Sequence, residues 1–193
     1  MKGRLEIIIG PMYSGKTEEL IRRIIRRRIA KQEGLVFKPV IDTRDKSLVK
    51  SRAGTVIEAI PISQISDILK YIEKGKVNFI SIDEIQFFSE TIYDILENVL
   101  NKNIDVLSSG LNLDFKGEPF KSVEDLVIRA DDITLLKAVC VVCGKDATRT
   151  QRLVLKNGNW LPASKRDDVI LIDGSIESVK YEPRCRDCWE ILD

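Results

Sequence analysis

The chain has 193 residues, of which 44% are hydrophobic and 32% are charged, and its net charge is +1. This apolar content is too high for a disordered chain, and the near-neutral charge gives no overall field that would attract nucleic acid or an anionic membrane. The sequence contains no histidine, which excludes Ser-His-Asp and Cys-His mechanisms, a histidine general base and zinc ligation by imidazole.

The sequence has no apolar run of about 18 residues, the length that a membrane-spanning helix needs. The apolar stretch near Met1 is too short for a signal peptide. We therefore expect a cytoplasmic protein that binds neither membranes nor nucleic acid.

Short apolar runs alternate with longer amphipathic segments over the first two thirds of the chain. This βαβ alternation predicts an α/β fold, in which a parallel sheet carries helices on both faces. Gly34 is expected to cap the first helix, and Ser122 with Asp125 to form a capping box on the last one. The predicted elements, in chain order, are a strand at Leu5–Ile9, a helix at Thr17–Gln32, a strand at Leu35–Phe37, a helix at Ser63–Lys74, a strand at Val77–Asp83, a helix at Ser89–Asn101, a strand at Ile104–Ser108 and a helix at Ser122–Ala130.

The pattern of residue types changes near Val139, where cysteine pairs, turn residues and short β-type runs replace the βαβ pattern. We therefore predict two domains, a nucleotide-binding α/β domain over residues 1–138 and a small second lobe over residues 139–193.

Residues 10–17, GPMYSGKT, match the phosphate-binding P-loop pattern and lie between a predicted strand and a predicted helix. Glycines at both ends allow the backbone to curl until its N–H groups point at phosphate oxygens, and the helix dipole adds to this field. Lys16 is expected to neutralise the β- and γ-phosphates and Thr17 to ligate Mg²⁺. The alternative is a chance match in a glycine-containing turn. The predicted nucleotide contacts in this loop are Gly10, Pro11, Met12, Tyr13, Ser14, Gly15, Lys16 and Thr17.

Two acids, Asp83 and Glu84, end a predicted apolar strand. A P-loop enzyme needs an acid at such a strand end to hold Mg²⁺, and Asp83 suits this role through a bound water. Because the chain lacks histidine, Glu84 is the natural acceptor for the proton of an attacking hydroxyl and is the predicted catalytic residue. The alternative is that the two acids merely end the strand. Phe87 and Phe88 follow in the next loop, where an aromatic ring suits stacking on a flat base or a place in the core.

All four cysteines fall into two C-x-x-C pairs, Cys140 with Cys143 and Cys185 with Cys188. Such pairs predict a tetrahedral zinc site, and four thiolates would leave no open position for catalysis, so the zinc is expected to be structural. Two disulfides or a redox pair are the alternatives, and a reducing compartment disfavours them.

Together these motifs resemble the zinc-containing, tetrameric thymidine kinases, and the resemblance covers nearly the whole chain. Residues 41–44 (IDTR) resemble the family's Asp-x-Arg segment near the phosphates, and residues 83–88 (DEIQFF) resemble its D-E-x-Q-F-F signature. Residues 110–120 resemble the segment that walls the thymine pocket, and residues 181–188 resemble the closing motif.

The resemblance implies transfer of the γ-phosphate of ATP to the 5′-hydroxyl of thymidine, which gives dTMP and ADP, with deoxyuridine also accepted. It implies ATP with magnesium, a structural zinc, a homotetramer, feedback inhibition by dTTP, and a C-terminal zinc-ribbon lobe whose lasso loop folds over the base. The implied ATP contacts outside the loop are Asp42, Arg44, Asp83, Glu84, Ile85 and Gln86. The implied nucleoside contacts are Phe87, Leu111, Phe115, Phe120, Val169, Ile170, Leu171, Ile172, Asp173 and Tyr181.

Two other functions are compatible with a P-loop. One is an ATPase that acts on nucleic acid, favoured by an Asp-Glu pair like that of helicases and by the arginines of residues 22–28, but disfavoured by the short chain and its balanced charge. The other is a nucleotide sensor without catalysis, which the presence of Lys16, Thr17, Asp83 and Glu84 disfavours.

Overall fold

The structure is a computed structural model, and it describes residues 2–42, 47–50, 54–88, 91–169 and 177–193. Short 3₁₀ turns at Ile65–Asp67 and Ile85–Phe87 supplement the helices and strands. The described elements, in chain order, are β1 (Leu5–Gly10), α1 (Lys16–Ile29), β2 (Gly34–Pro39), β3 (Leu48–Lys50), β4 (Val56–Glu58), β5 (Ile60–Ile62), α2 (Ile68–Ile72), β6 (Phe79–Ile82), α3 (Ile92–Asn101), β7 (Asp105–Leu111), α4 (Lys121–Arg129), β8 (Asp132–Leu135), β9 (Ala138–Val139), β10 (Asp146–Ala147), β11 (Arg149–Lys156), β12 (Asn159–Pro162) and β13 (Val179–Arg184).

A six-stranded parallel sheet with the order β5-β2-β6-β7-β1-β8 forms the centre of the fold. Alternate residues of β1 point to opposite faces of this sheet: Ile7 packs in the core that contains residues of α2, α3 and α4, and Ile8 packs against α1. The prediction of an α/β fold with helices on both faces is therefore confirmed. None of the helices formed by the described residues is long and apolar enough to span a bilayer.

Helix α1 is attached to the sheet by ion pairs as well as by its apolar stripe. Arg23 and Arg27 both reach Glu6 on β1, and Arg27 also reaches Asp105 on β7, with N–O distances of 2.7–2.9 Å. In the first turn, hydrogen bonds from Arg22 lower the pKa of Glu19 to about 2, although burial acts in the opposite direction. Two arginines of the basic segment 22–28 therefore serve the fold and are not available to nucleic acid.

The C-terminal part of the chain contains smaller antiparallel sheets. Strands β11, β12 and β13 form one of them in the order β12-β11-β13, and β9 pairs with β10 in another. The predicted boundary between residues 138 and 139 falls inside β9, and apolar contacts cross it, because Phe115 and Met12 pack with Ala163 and Tyr181. The division into two domains stays a prediction.

Three local predictions differ from the structure. Helix α1 ends at Ile29, and Gly34 does not cap it but begins β2. The segment predicted as one helix over Ser63–Lys74 is a 3₁₀ turn followed by the short α2. Helix α4 begins one residue before Ser122 and has no side-chain cap, so the expected capping box is wrong.

Position 34 is occupied by glycine because a neighbouring ring leaves no room for a side chain. In the pairing of β2 with β6, Gly34 lies opposite Phe79, whose ring is completely buried. A Cβ atom at Gly34 would approach the ring carbons of Phe79 to 2.2–2.5 Å.

We predict that Gly34→Ala lowers the free energy of unfolding by about 1–3 kcal/mol, because the added methyl group overpacks a core that cannot yield. Urea denaturation monitored by circular dichroism measures the change. Gly75→Ala is the matched control, since a Cβ there meets no heavy atom within 4 Å. A Gly34→Ala protein as stable as the Gly75→Ala protein would contradict this account of the sheet.

Candidate functional site

The loop between β1 and α1 is curled by its glycines. A Cβ atom at Gly10 would lie 2.5 Å from the carbonyl oxygen of Leu136, so no side chain fits there. Gly15 has a φ of 82° and stands directly before α1, in the left-handed region that favours glycine. Tyr13 also has a positive φ, of 67°. The loop thus turns tightly, and the N-terminus of α1 faces the space that the loop encloses.

Hydrogen bonds hold the ammonium group of Lys16 inside the curled loop. The Lys16 Nζ donates to the carbonyl of Pro11 at 2.8 Å, and the Ser14 hydroxyl donates to the same carbonyl at 2.9 Å. An ammonium group and a helix N-terminus together form a positive site that suits phosphate. The geometry of residues 10–17 is therefore that of an anion-binding loop.

Asp83 follows β6 and lies beside the start of α1, where its carboxylate accepts hydrogen bonds from three of the described residues. The Thr17 hydroxyl donates to one carboxylate oxygen at 3.2 Å, and the Ser109 hydroxyl and the backbone N–H of Glu84 donate to the other, the latter at 3.0 Å. The side chain of Asp83 is buried. Hydroxyl and carboxylate oxygens are the ligands that Mg²⁺ prefers, so Thr17 and Asp83 fit this ion where their side chains meet.

Glu84 has a strained backbone, with φ 54° and ψ 47°. Its carboxylate accepts a hydrogen bond of 2.6 Å from the side-chain amide of Gln86, whose oxygen in turn accepts from the backbone N–H of Leu111 at 3.0 Å. Gln86 is buried, and Gly110 leaves space for it, because a Cβ there would lie 2.8 Å from the Gln86 oxygen. A non-glycine residue in the left-handed region costs free energy and is frequent at functional sites, which makes Glu84 a candidate for catalysis.

Near this carboxylate lies an apolar cleft. Leu111 connects the two, since its backbone N–H binds Gln86 and its side chain lines the cleft. Of the predicted nucleoside contacts, Leu111, Phe115, Phe120, Val169 and Tyr181 line the cleft, and so does Met12 of the loop. The other lining residues are Leu113, Asp114 and Thr150.

The remaining predicted site residues lie elsewhere. Phe87 is not among the residues that line the cleft, and it belongs to the 3₁₀ turn after Glu84. The side chain of Ile85 is completely buried in the core, so any contact of this residue with a ligand would be made by its backbone. Asp42 is paired with the buried Lys38 at 3.0 Å. Arg44, Ile170, Leu171, Ile172 and Asp173 lie outside the described residues.

Sequence reasoning missed the contact between the loop and the C-terminal part of the chain. The backbone N–H of Met12 donates to the hydroxyl of Thr150 at 3.1 Å, across 138 residues. Ser109 and Gln86 were likewise not predicted to hold the two carboxylates. A serine directly after the predicted strand Ile104–Ser108 is the signal that could have indicated the contact between Ser109 and Asp83.

The four cysteines form one cluster. Their sulfur atoms all lie within 4.8 Å of one another, and the sulfurs of Cys143 and Cys185 are 3.6 Å apart. Tetrahedral zinc with Zn–S bonds of about 2.3 Å places its sulfurs about 3.8 Å apart, so these residues fit a zinc ion. All four cysteines are free thiols, which contradicts the alternative of two disulfides.

The pKa values of the cysteine thiols are shifted in different directions. Burial would raise the pKa of Cys140, but backbone N–H groups that donate to its sulfur outweigh burial and lower the pKa to about 6. The side chains of Cys185 and Cys143, together with burial, raise the pKa of Cys188 to about 12. Four thiolates so close together repel one another, and a divalent cation bound between them relieves this repulsion.

Trp189 connects the cysteine cluster to the cleft. Its backbone N–H donates to the carbonyl of Cys185 at 3.0 Å, and its indole N–H donates to the carbonyl of Phe115 at 3.2 Å. Phe115 is a wall of the cleft. The side chain of Trp189 therefore links the cluster to the cleft, a contact that no sequence motif indicates.

We predict that the purified protein contains about one zinc per chain and that Cys185→Ser loses it, because three thiolates hold the ion far more weakly than four. Elemental analysis measures the zinc, and thermal melting should show a loss of several degrees in the variant. Asp187→Asn, an exposed change between Cys185 and Cys188, is the control and should keep both properties. Equal zinc content in the wild type and in Cys185→Ser would contradict the assignment.

The family model described as thymidine kinase matches residues 3–189 of the 193. The match includes the curled loop, both carboxylates, the cleft and all four cysteines.

Proposed function

The chain belongs to the thymidine kinase family, and from this premise we propose that it transfers the γ-phosphate of ATP to the 5′-hydroxyl of thymidine, giving dTMP and ADP. One observation carries the proposal: a cationic loop borders an apolar cleft, and a carboxylate is linked to the same cleft by two hydrogen bonds. Met12 belongs to the loop and lines the cleft, and Leu111 connects Glu84, through Gln86, with the cleft. A phosphate donor and a hydroxyl acceptor bound there would meet at Glu84.

In this proposal, residues 10–17 bind the phosphates of ATP, and Lys16 offsets their charge. Thr17 and Asp83 hold Mg²⁺, which when bound supplies further charge neutralisation on the transferred group. The burial of Asp83 and its hydrogen bond from Thr17 support this assignment. The remaining proposed ATP contacts are Asp42, Arg44, Asp83, Glu84, Gln86 and the backbone of Ile85.

Glu84 is the proposed general base. It would orient the 5′-hydroxyl and accept its proton as the bond to phosphorus forms. The hydrogen bond from Gln86 fixes the carboxylate in one orientation, and a chain without histidine offers few other acceptors. In-line transfer then needs only that the loop and Glu84 keep their relative positions.

The cleft is the proposed nucleoside site. Aromatic and aliphatic side chains suit the flat faces and the methyl group of thymine. A methyl-sized space discriminates by only about 1–3 kcal/mol, so deoxyuridine should also be accepted. The proposed contacts are Phe87, Leu111, Phe115, Phe120, Val169, Ile170, Leu171, Ile172, Asp173 and Tyr181.

The resemblance to the zinc-containing thymidine kinases supports several further proposals. The enzyme would act in the cytoplasm in nucleotide salvage for DNA synthesis, as a homotetramer that dTTP inhibits and that does not bind nucleic acid. Residues 139–193 would form a zinc-binding lasso domain, whose structural zinc stabilises the lobe over the base.

We predict that Glu84→Gln lowers kcat for thymidine phosphorylation by about 10²–10⁴-fold, since it removes the proton acceptor and keeps the size of the side chain. The KM for ATP should change little, because residues 10–17 are the main proposed contacts of the phosphates and glutamine keeps the size of the Glu84 side chain. Glu73→Gln, at an exposed carboxylate, is the matched control. Near-normal turnover by Glu84→Gln would show that another group accepts the proton.

We also predict that labelled phosphate from [γ-³²P]ATP appears in the monophosphates of thymidine and deoxyuridine when a panel of nucleosides is offered. A parallel assay measures phosphate release from ATP with single-stranded DNA and without it. DNA should leave the rate unchanged. ATP hydrolysis that depends on DNA, without any labelled nucleotide, would instead favour a nucleic-acid-dependent ATPase.

A further inference from the structure

Arg152 is a buried cation beside the nucleoside cleft. Its exposed fraction is 5%, and it lies on β11 opposite Tyr181 of β13, so that both side chains project from the same face of the sheet. Tyr181 lines the cleft, as does Thr150, two residues before Arg152 on the same strand. The side chain of Arg152 is thus directed to the cleft side of the lobe.

The contacts of Arg152 do not neutralise its charge. One guanidinium nitrogen donates to the carbonyl of Asp168 at 2.5 Å, and the guanidinium lies 5.0 Å from the centroid of the Phe115 ring. The Nε atom is buried and has no hydrogen-bond partner among the described residues. Within the part of the chain that the structure describes, no carboxylate forms a salt bridge with Arg152.

Such an arrangement is unfavourable for stability. A buried charge needs a paired counter-charge and satisfied hydrogen bonds to offset its lost hydration, and an apolar side chain of similar volume often replaces it without loss. A carbonyl and an aromatic face compensate only part of this cost here. Folding stability therefore does not explain why an arginine occupies this position. The explanation lies in the groups that Arg152 holds in place.

The two groups that Arg152 contacts belong to separate parts of the cleft. Phe115 is a buried wall residue, and Asp168 immediately precedes Val169, which lines the cleft as well. Phe115 and Asp168 are far apart in sequence, and the Arg152 guanidinium contacts both, with its Cζ atom over the ring and one nitrogen donating to the carbonyl. One side chain thereby fixes the distance between the wall and Asp168.

We propose that Arg152 is a positioning residue of the nucleoside site, which holds the Phe115 ring and the segment at Asp168–Val169 in the geometry that a nucleoside needs. This inference rests on the proposed function, because it assumes that the cleft binds the nucleoside. The residue touches neither reacting atom, so its effect falls on nucleoside affinity and leaves the transfer step itself intact.

The test compares Arg152→Met and Arg152→Lys with the wild type in steady-state kinetics and thermal melting. The KM for thymidine should rise on the order of tenfold in Arg152→Met, as expected when a pocket wall is released. The value of kcat, the KM for ATP and the melting temperature should stay near those of the wild type. Arg152→Lys keeps the charge without the planar face, and its KM should lie between the two.

Arg149→Met is the matched control, because Arg149 lies on the same strand and donates to Thr148, away from the cleft. It should leave the KM for thymidine unchanged. An unchanged KM in Arg152→Met, or a protein that melts far below the wild type or does not fold, would overturn the inference and leave the proposed function standing. A wild type that phosphorylates no nucleoside would overturn the proposed function, and the inference with it.

Discussion

The buried carboxylate of Asp83 is the constraint on which the rest of the site depends. It accepts hydrogen bonds from Thr17 at the start of α1, from Ser109 on β7 and from the backbone of Glu84. Three chain segments thus converge on one anion. Because a buried carboxylate is stable only when its oxygens are satisfied, these hydrogen bonds hold the loop and Glu84 at a fixed separation.

Parallel strand order explains why these groups meet. Strands β1, β6 and β7 are neighbours in the sheet and run in the same direction, so that Gly10, Asp83 and Leu111 reach the same edge. In an open parallel sheet, ligands bind beyond the carboxyl ends of the strands. The anion-binding loop, the paired acids and the beginning of the cleft are therefore consequences of one topology.

The sequence predicts those parts of the site whose geometry is local. The spacing of residues 10–17 defines a loop, and each C-x-x-C spacing defines a pair of sulfurs, because neighbours in sequence are necessarily neighbours in space. The meeting of the two cysteine pairs follows instead from the preference of zinc for four ligands. The partners of these groups are distant in sequence: Thr150 for Met12, and Trp189 for Phe115. No periodicity encodes such pairs. Gly34 illustrates the same limit, since its role follows from the ring of Phe79 and not from the helix before it.

The contact between Met12 and Thr150 extends the proposed phosphate site beyond the α/β sheet. The Met12 N–H donates to Thr150 and is thereby withdrawn from the set of loop amides that can face a phosphate. The curl of the loop thus depends on β11, which pairs with β13, and β13 ends next to Cys185. The cysteine cluster is therefore connected to the loop through β13 and β11, and to the cleft through Trp189. The small C-terminal sheets are as much a part of the site as the strand that carries Asp83.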